Sequence, residues 1–337
     1  MPTWAYRLPL LALGFVSLAF GVAGGLARLS SLEAPATAIA LHGPLMVSAF
    51  FGTVISLERA VALGRAWGYA APLAAGLGGI CLLSGLVTAG FSLMVLAAAV
   101  FVACGVLVVR RQPSLETATL LAGAAAWLAG NVMLLEGEAA VPWWLAFFAL
   151  TVAGERLELS RYLKRPAWVR RSFALLVLLL LLAPLLPRVL GVVLLLLALW
   201  LLAFDLARVT IRQTGLPRYV AACLLAGYCW LGLGGALIAL ATAYDAALHA
   251  VFVGFVFSMV FGHAPVILPA VLRVRFPYHP VLYVPLALLH ASLALRVFVS
   301  APFGAWGNAA AIVLFILTAL VLATMFDRRQ SRGAASR

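Results

Sequence analysis

Two histidines, His42 and His249, are the residues of this chain best suited to chemistry. The chain has five histidines, and these two stand inside long apolar runs, where an ionisable or metal-binding side chain is costly and usually functional. Neutral imidazole is a common axial ligand of haem iron, which takes one ligand from each face of the porphyrin. The two imidazoles are therefore candidates for the two axial ligands of a haem; the alternative is that each imidazole only hydrogen-bonds a neighbouring backbone carbonyl.

A second pair, His263 and His290, also lies at membrane depth. His263 follows His249 by fourteen residues, which places the two imidazoles on nearly the same face of one helix. Ser56 stands fourteen residues after His42, so the helix of His42 does not repeat this spacing. Three roles stay open for His263 and His290: a second haem or metal site, a quinone site or proton path, and structural hydrogen bonding.

The composition predicts the elements that must position these residues. The chain is 66% hydrophobic and 10% charged, with a mean hydropathy of +1.14, which indicates an all-α, polytopic membrane helix bundle. At about 20 residues per crossing, we expect about twelve transmembrane helices in a single transmembrane domain over residues 1–337. Their predicted positions are 8–28, 37–59, 70–90, 92–109, 117–135, 141–157, 172–186, 189–207, 217–240, 246–270, 280–300 and 304–326.

The basic residues orient this bundle. With the N-terminus inside, all of the 23 lysines and arginines except Arg28, Arg188 and Arg296 fall on the cytoplasmic side. The positive-inside rule therefore predicts cytoplasmic N- and C-termini for a multi-pass protein of the cell membrane. Because the net charge of +13 is explained by this orientation in the lipid bilayer, we expect no nucleic-acid partner.

The predicted topology gives His42 and His249 a shared depth. Both lie near the start of helices that run inward, roughly 6 to 8 Å below the outer boundary at the usual helical rise. Arg296 lies near the outer end of its own helix, where its guanidinium could pair with a haem propionate or extend to the outer interface. His279 falls in a loop, and we interpret it as interfacial.

Four segments of the chain match short motifs of a known family. They are Leu-His-Gly-Pro-Leu-Met at 41–46, Gly-Tyr-Cys-Trp-Leu at 227–231, Ala-Leu-His-Ala at 247–250 with Gly254, Ser258 and Met259, and Leu-Arg-Val at 295–297. These segments resemble the NnrS family, haem- and copper-containing membrane proteins associated with nitric oxide tolerance. The resemblance implies a haem, b-type in our interpretation, and the handling of nitric oxide or another diatomic gas. Pro44 and Leu225 replace two histidines of the family pattern, which weakens the expectation of copper binding.

A more distant likeness is to the catalytic subunit of haem-copper oxidases. In those proteins helices 2 and 10 supply the axial histidines of a low-spin haem near the outer face, which implies that His42 and His249 are partners. A second helix-10 histidine would be needed for oxygen reduction, and Ala247 and Val251 flank His249 instead. Predicted helices 6 and 7 contain no histidine, so we do not expect a conventional terminal oxidase.

These patterns predict a membrane haem protein that transfers electrons or handles a diatomic gas. Its electron donor, a quinol or a cytochrome, is left open, as is any catalytic activity. The alternative is a multi-pass transporter or structural membrane protein in which the histidines pair helices and no cofactor binds. Inverted repeats would favour transport, and the sequence shows no convincing internal repeat.

Overall fold

The computed structural model describes residues 7–159, 166–274 and 276–335, with side chains up to Thr324, and every regular element in these ranges is helical. This confirms the all-α prediction. In chain order the helices are α1 (Arg7–Ala27), α2 (Ala36–Ala40), α3 (His42–Leu63), α4 (Ala66–Leu83), α5 (Val87–Arg111), α6 (Leu115–Leu135), α7 (Val141–Leu159), α8 (Ala167–Leu185), α9 (Pro187–Phe204), α10 (Ala207–Thr210), α11 (Leu216–Ala239), α12 (Tyr244–Leu272), α13 (Pro280–Phe298) and α14 (Ala301–Ala335).

Within the described ranges, eleven helices are long and apolar enough to cross a membrane, as expected of a multi-pass membrane protein. The helix at the sixth predicted crossing, α7, is outside this set, because Glu155, Arg156 and Glu158 lie close to its C-terminal end. The count of twelve therefore stays a prediction. So does the cytoplasmic location of both termini, whose last residues, 1–6 and 336–337, lie outside the described ranges.

The boundary between the third and fourth predicted crossings is wrong by several residues. A helix was predicted over 70–90, whereas α4 ends at Leu83 and α5 begins at Val87. Gly85 between them has a φ of +82°, a left-handed conformation that ends helices and that glycine adopts without steric cost. Because the residues around this turn are apolar, hydropathy alone does not show where the helix ends.

The chain divides into two compact units, Met1–Val193 and Leu194–Arg337. Each unit includes a set of four long helices that pack on one another in chain order. The set in the first unit is α1, α3, α4 and α5, and the set in the second is α11, α12, α13 and α14. In each set the first helix packs on the second, the second on the third, and the third on the fourth. The sequence shows no convincing internal repeat. What the two sets share is the order in which their helices pack.

The second helix of each set has an unusual backbone. In α3 the residues Leu45–Phe51 form a π-helix, and in α12 the residues Ala250–Phe257 do so. His42 lies three residues before the first π-helical segment, and His249 immediately before the second. Because π-helical turns are rare and frequent at functional sites, this shared placement marks both histidine segments as special.

Glycines on the first helix of each set allow close approach to the chain near each histidine, on α2 in the first unit and on α12 in the second. A Cβ atom added to Gly24 on α1 would lie 2.1 Å from the carbonyl oxygen of Ala38, just before His42. A Cβ atom added to Gly234 on α11 would lie 3.0 Å from the carbonyl oxygen of Ala247, just before His249. Small residues at such crossings are typical of helix packing in membranes, where backbones must approach to gain contact.

Candidate functional site

The imidazole of His42 is oriented by α1. Its Nδ1 atom lies 2.6 Å from the carbonyl oxygen of Gly21. Since a carbonyl oxygen only accepts hydrogen bonds, Nδ1–H is the donor, and in a neutral imidazole the lone pair then belongs to Nε2. Donation from one ring nitrogen to a backbone carbonyl is the usual way in which proteins orient a histidine that ligates a metal through the other.

Gly25 borders the His42 ring on α1. A Cβ atom added to Gly25 would lie 2.7 Å from Cε1 and 2.9 Å from Nδ1 of His42. Any larger residue there would push the imidazole from its position. The absence of a side chain at Gly25 is therefore a requirement of the observed ring orientation.

We expect Gly25→Ala to displace the His42 ring, because the added methyl group overlaps the imidazole, and to lower the occupancy of the predicted haem if His42 ligates it. The matched control is Gly43→Ala, next to His42, where the new Cβ atom would meet only Trp144 at an ordinary 3.6 Å. The measurement is the ratio of haem to protein absorbance after purification. Equal ratios for both variants would show that Gly25 does not govern the ring.

His249 has the same ring orientation with a richer set of acceptors. Its Nδ1 atom lies 2.7 Å from the carbonyl oxygen of Asp245, four residues earlier on α12, and 3.2 Å from Oδ1 of the same residue. The backbone carbonyl accepts from Nδ1–H, so the lone pair of the neutral ring again belongs to Nε2. The carboxylate of Asp245 lies beside the same nitrogen and brings a negative charge close to it.

Arg296 completes this cluster. Its Nη2 atom lies 3.0 Å from Oδ2 and 3.3 Å from Oδ1 of Asp245. The side chain of Arg296 is 8% exposed, whereas that of Asp245 is 59% exposed, so the guanidinium covers the inner side of the carboxylate. Asp245 was not predicted as a partner of His249 or Arg296. The sequence does carry a signal for it, because Asp245 is an acidic residue four positions before an intramembrane histidine.

The turn before α12 sets Asp245 in the first helical turn. Ala241 and Ala243 have φ values of 54° and 45°, in the left-handed region that residues with a side chain rarely adopt. Such strain persists where surrounding contacts fix it, and it is common at functional sites. The consequence is that Asp245 stands at a helix N-terminus, where a negative charge is favoured.

An arginine also secures the segment before His42. Arg28 donates from Nε to the carbonyl oxygen of Ile39 at 2.8 Å and from Nη2 to that of Ala40 at 3.0 Å. These carbonyls belong to the chain just before His42. One guanidinium thus contacts each histidine segment. Arg28 binds backbone carbonyls in the first unit, and Arg296 binds the side chain of Asp245 in the second.

The π-helical segment after His42 is fixed by a buried polar cluster that the sequence analysis did not find. Ser48 donates to Oδ1 of Asn131 at 2.6 Å, and the indole N–H of Trp144 donates to the same oxygen at 3.3 Å. Asn131 in turn donates to the carbonyl oxygen of Met94 at 3.0 Å, and Trp127 donates to Ser48 at 3.3 Å. Such a satisfied buried network rigidifies the segment.

His290 belongs to a hydrogen-bonded chain in the second unit. The indole N–H of Trp230 donates to its Nδ1 atom at 3.0 Å, so the proton of the neutral ring is on Nε2, which lies 3.3 Å from Oγ of Ser258. Ser258 donates to the carbonyl oxygen of Cys223 at 2.7 Å. Both ring nitrogens are engaged, so ligation of a metal by His290 would require loss of one of these bonds.

His263 and His279 have separate environments. Nδ1 of His263 lies 2.8 Å from the carbonyl oxygen of Met259, four residues earlier, in the same arrangement as His249 and Asp245. Nδ1 of His279 accepts a hydrogen bond from the backbone N–H of Val281, so His279 caps the N-terminus of α13. A second metal site at His263 and His290 stays a prediction. The described residues contain no group of three or more His, Cys, Asp or Glu side chains able to hold a metal ion.

Three of the predicted site residues can be placed as follows. The structure brings Arg296 together with His249 through Asp245, within the second unit. His42 lies in the first unit, in contact with α1. The ligation of one haem by His42 and His249, and a propionate contact of Arg296, stay predictions.

Comparison with known proteins yields one family. Residues 7–324 match a family described as a domain of unknown function, DUF8744. No curated protein and no solved structure matches the chain.

Proposed function

The chain belongs to the DUF8744 family of unknown function, and for this member we propose a membrane haem protein in which His42 and His249 are the axial ligands. The haem is b-type, and its role is electron transfer or the handling of nitric oxide or a related diatomic gas. The resemblance of the segments around both histidines to the NnrS family supports this assignment. The proposal locates the protein in the cytoplasmic membrane, with a quinol or a cytochrome as electron donor.

The observation that carries the proposal is the shared state of the two imidazoles. Each donates Nδ1–H to a backbone carbonyl, from His42 to Gly21 and from His249 to Asp245, and each precedes a π-helical segment, His42 by three residues and His249 by one. Imidazole held in this way presents Nε2 as the ligating nitrogen in the neutral form that iron requires. The residues present therefore fit the donor set of a bis-histidine haem.

The chain and the haem contribute different things to this function. A bound haem supplies an iron that changes its oxidation state or, with an axial position open, binds a gas. The chain supplies two pre-oriented nitrogens, and the glycines of α1 and α11 supply the close packing that holds them. If His42 and His249 both held the iron, the protein would be suited to passing electrons, whereas gas binding would need an open position.

A second candidate function has a specific observation in its favour. The Nδ1–H of His42 joins α3 to the carbonyl oxygen of Gly21 on α1, which is a helix-pairing bond in its own right. In a structural protein or a transporter without a cofactor, this bond would be the whole role of His42. The two candidates differ in whether haem copurifies with the protein.

The deciding experiment is an absorption spectrum of the protein purified after expression with added haem precursor. We expect a Soret band that moves and sharpens on reduction with dithionite, and a pyridine haemochrome of b-type. One haem per chain is the expected stoichiometry. A purified, folded protein without a Soret band would leave helix pairing as the role of His42 and bonding to Asp245 on its own helix as the role of His249.

A further inference from the structure

From the cluster around His249, we infer that Asp245 is a positioning residue that sets the electron-donating strength of His249 toward the iron. The inference rests on the proposed function and deepens it. It also gives Arg296 a role that acts through Asp245, in place of a direct contact with the cofactor.

The geometry places a charged group beside His249. His249 donates Nδ1–H to the carbonyl oxygen of Asp245 at 2.7 Å, and the same nitrogen lies 3.2 Å from Oδ1 of the Asp245 carboxylate. A negative charge this close to Nδ1–H pulls its proton more strongly than the carbonyl alone would, so His249 gains imidazolate character and becomes a stronger donor at Nε2.

Arg296 moderates this effect. Its Nη2 atom donates to both oxygens of the carboxylate, to Oδ2 at 3.0 Å and to Oδ1, the oxygen nearer His249, at 3.3 Å. A positive charge in this position withdraws electron density from the carboxylate and weakens its pull on the Nδ1 proton. Because the Arg296 side chain is almost fully covered, water screens this ion pair only from the exposed side of Asp245.

The direction of the expected change follows from the charge on the iron. A stronger imidazole donor stabilises the ferric state more than the ferrous state, which lowers the midpoint potential. Asp245→Asn keeps the backbone carbonyl and a side chain of the same shape and removes the negative charge. We therefore expect the haem potential of Asp245→Asn to rise while its Soret band and haem content stay unchanged.

The experiment is a spectroelectrochemical titration of the purified holoprotein at one fixed pH. Glu138→Gln is the control: it removes one carboxylate from an exposed turn between α6 and α7, and we expect no change in potential. An unchanged potential in Asp245→Asn, or an equal rise in Glu138→Gln, would overturn the inference. A chain without haem would contradict the proposed function instead, so the two failures are distinguishable.

The role of Arg296 is tested in two backgrounds. Arg296→Leu lowers the potential whether the guanidinium acts through Asp245 or on a haem propionate, so the single variant does not separate these routes. In the Asp245→Asn background we expect most of that shift to disappear, because the carboxylate through which Arg296 acts is gone. A shift of equal size in both backgrounds would assign Arg296 to the propionate and contradict this part of the inference.

Discussion

Replacing either His42 or His249 by alanine is expected to abolish the low-spin haem spectrum of the protein. Each replacement removes one axial nitrogen together with its orienting bond, to Gly21 or to Asp245. The iron then has one protein ligand and becomes high-spin, or the haem is lost during purification. The measurement is the absorption spectrum of each variant, compared with the unmodified protein at equal concentration.

Two controls separate ligation from folding in this experiment. His279→Ala removes a histidine that caps the N-terminus of α13, and we expect the spectrum of this variant to match that of the unmodified protein. Free imidazole added to His42→Ala or His249→Ala should restore the low-spin spectrum by filling the vacated position. Full retention of the low-spin spectrum in either alanine variant, without added imidazole, would remove that residue from the ligand set.

The largest expected effect on stability comes from Gly24→Ala. The new methyl group would stand 2.1 Å from the carbonyl oxygen of Ala38, a backbone atom that no side-chain rotation can move away. Overpacking of this kind costs about 3 kcal/mol, and here it must separate α1 from the segment before His42. We expect the midpoint of thermal unfolding in detergent to fall by roughly 5 °C or more.

Gly68→Ala is the matched control for this stability prediction. Its Cβ atom would meet Ala60 and Cys104 at 3.6 Å, an ordinary contact distance, in a helical segment of the same unit. We expect a change of less than about 1 kcal/mol, because the added methyl group only reduces the freedom of the unfolded chain. Equal losses of stability in Gly24→Ala and Gly68→Ala would show that the α1 contact is not special.

The class of fold could be predicted from the sequence because hydropathy reports directly on helices that cross a membrane. The prediction over 280–300, for example, agrees with α13 (Pro280–Phe298). Predictions failed where hydropathy does not vary. The turn at Gly85 lies within an apolar run, and the π-helical segments after His42 and His249 have the same composition as the α-helical turns around them.

The candidate site could be read from the sequence in part for a related reason. A histidine in an apolar run stands out in composition, so His42 and His249 can be named as candidates from the sequence alone. Asp245 did not stand out, because it sits at a helix boundary where acidic residues are ordinary. Gly25 was hidden among the many glycines of the chain, and its contact with the His42 ring exists only when α1 and α3 are packed.

Low-temperature electron paramagnetic resonance of the oxidised, purified protein tests bis-histidine haem ligation most directly, because the signal reports the spin state and axial ligands of ferric haem. The account predicts a low-spin signal typical of two imidazole ligands, converted to a high-spin signal in both His42→Ala and His249→Ala. A high-spin signal in the unmodified protein, or a low-spin signal that survives either replacement, would contradict it.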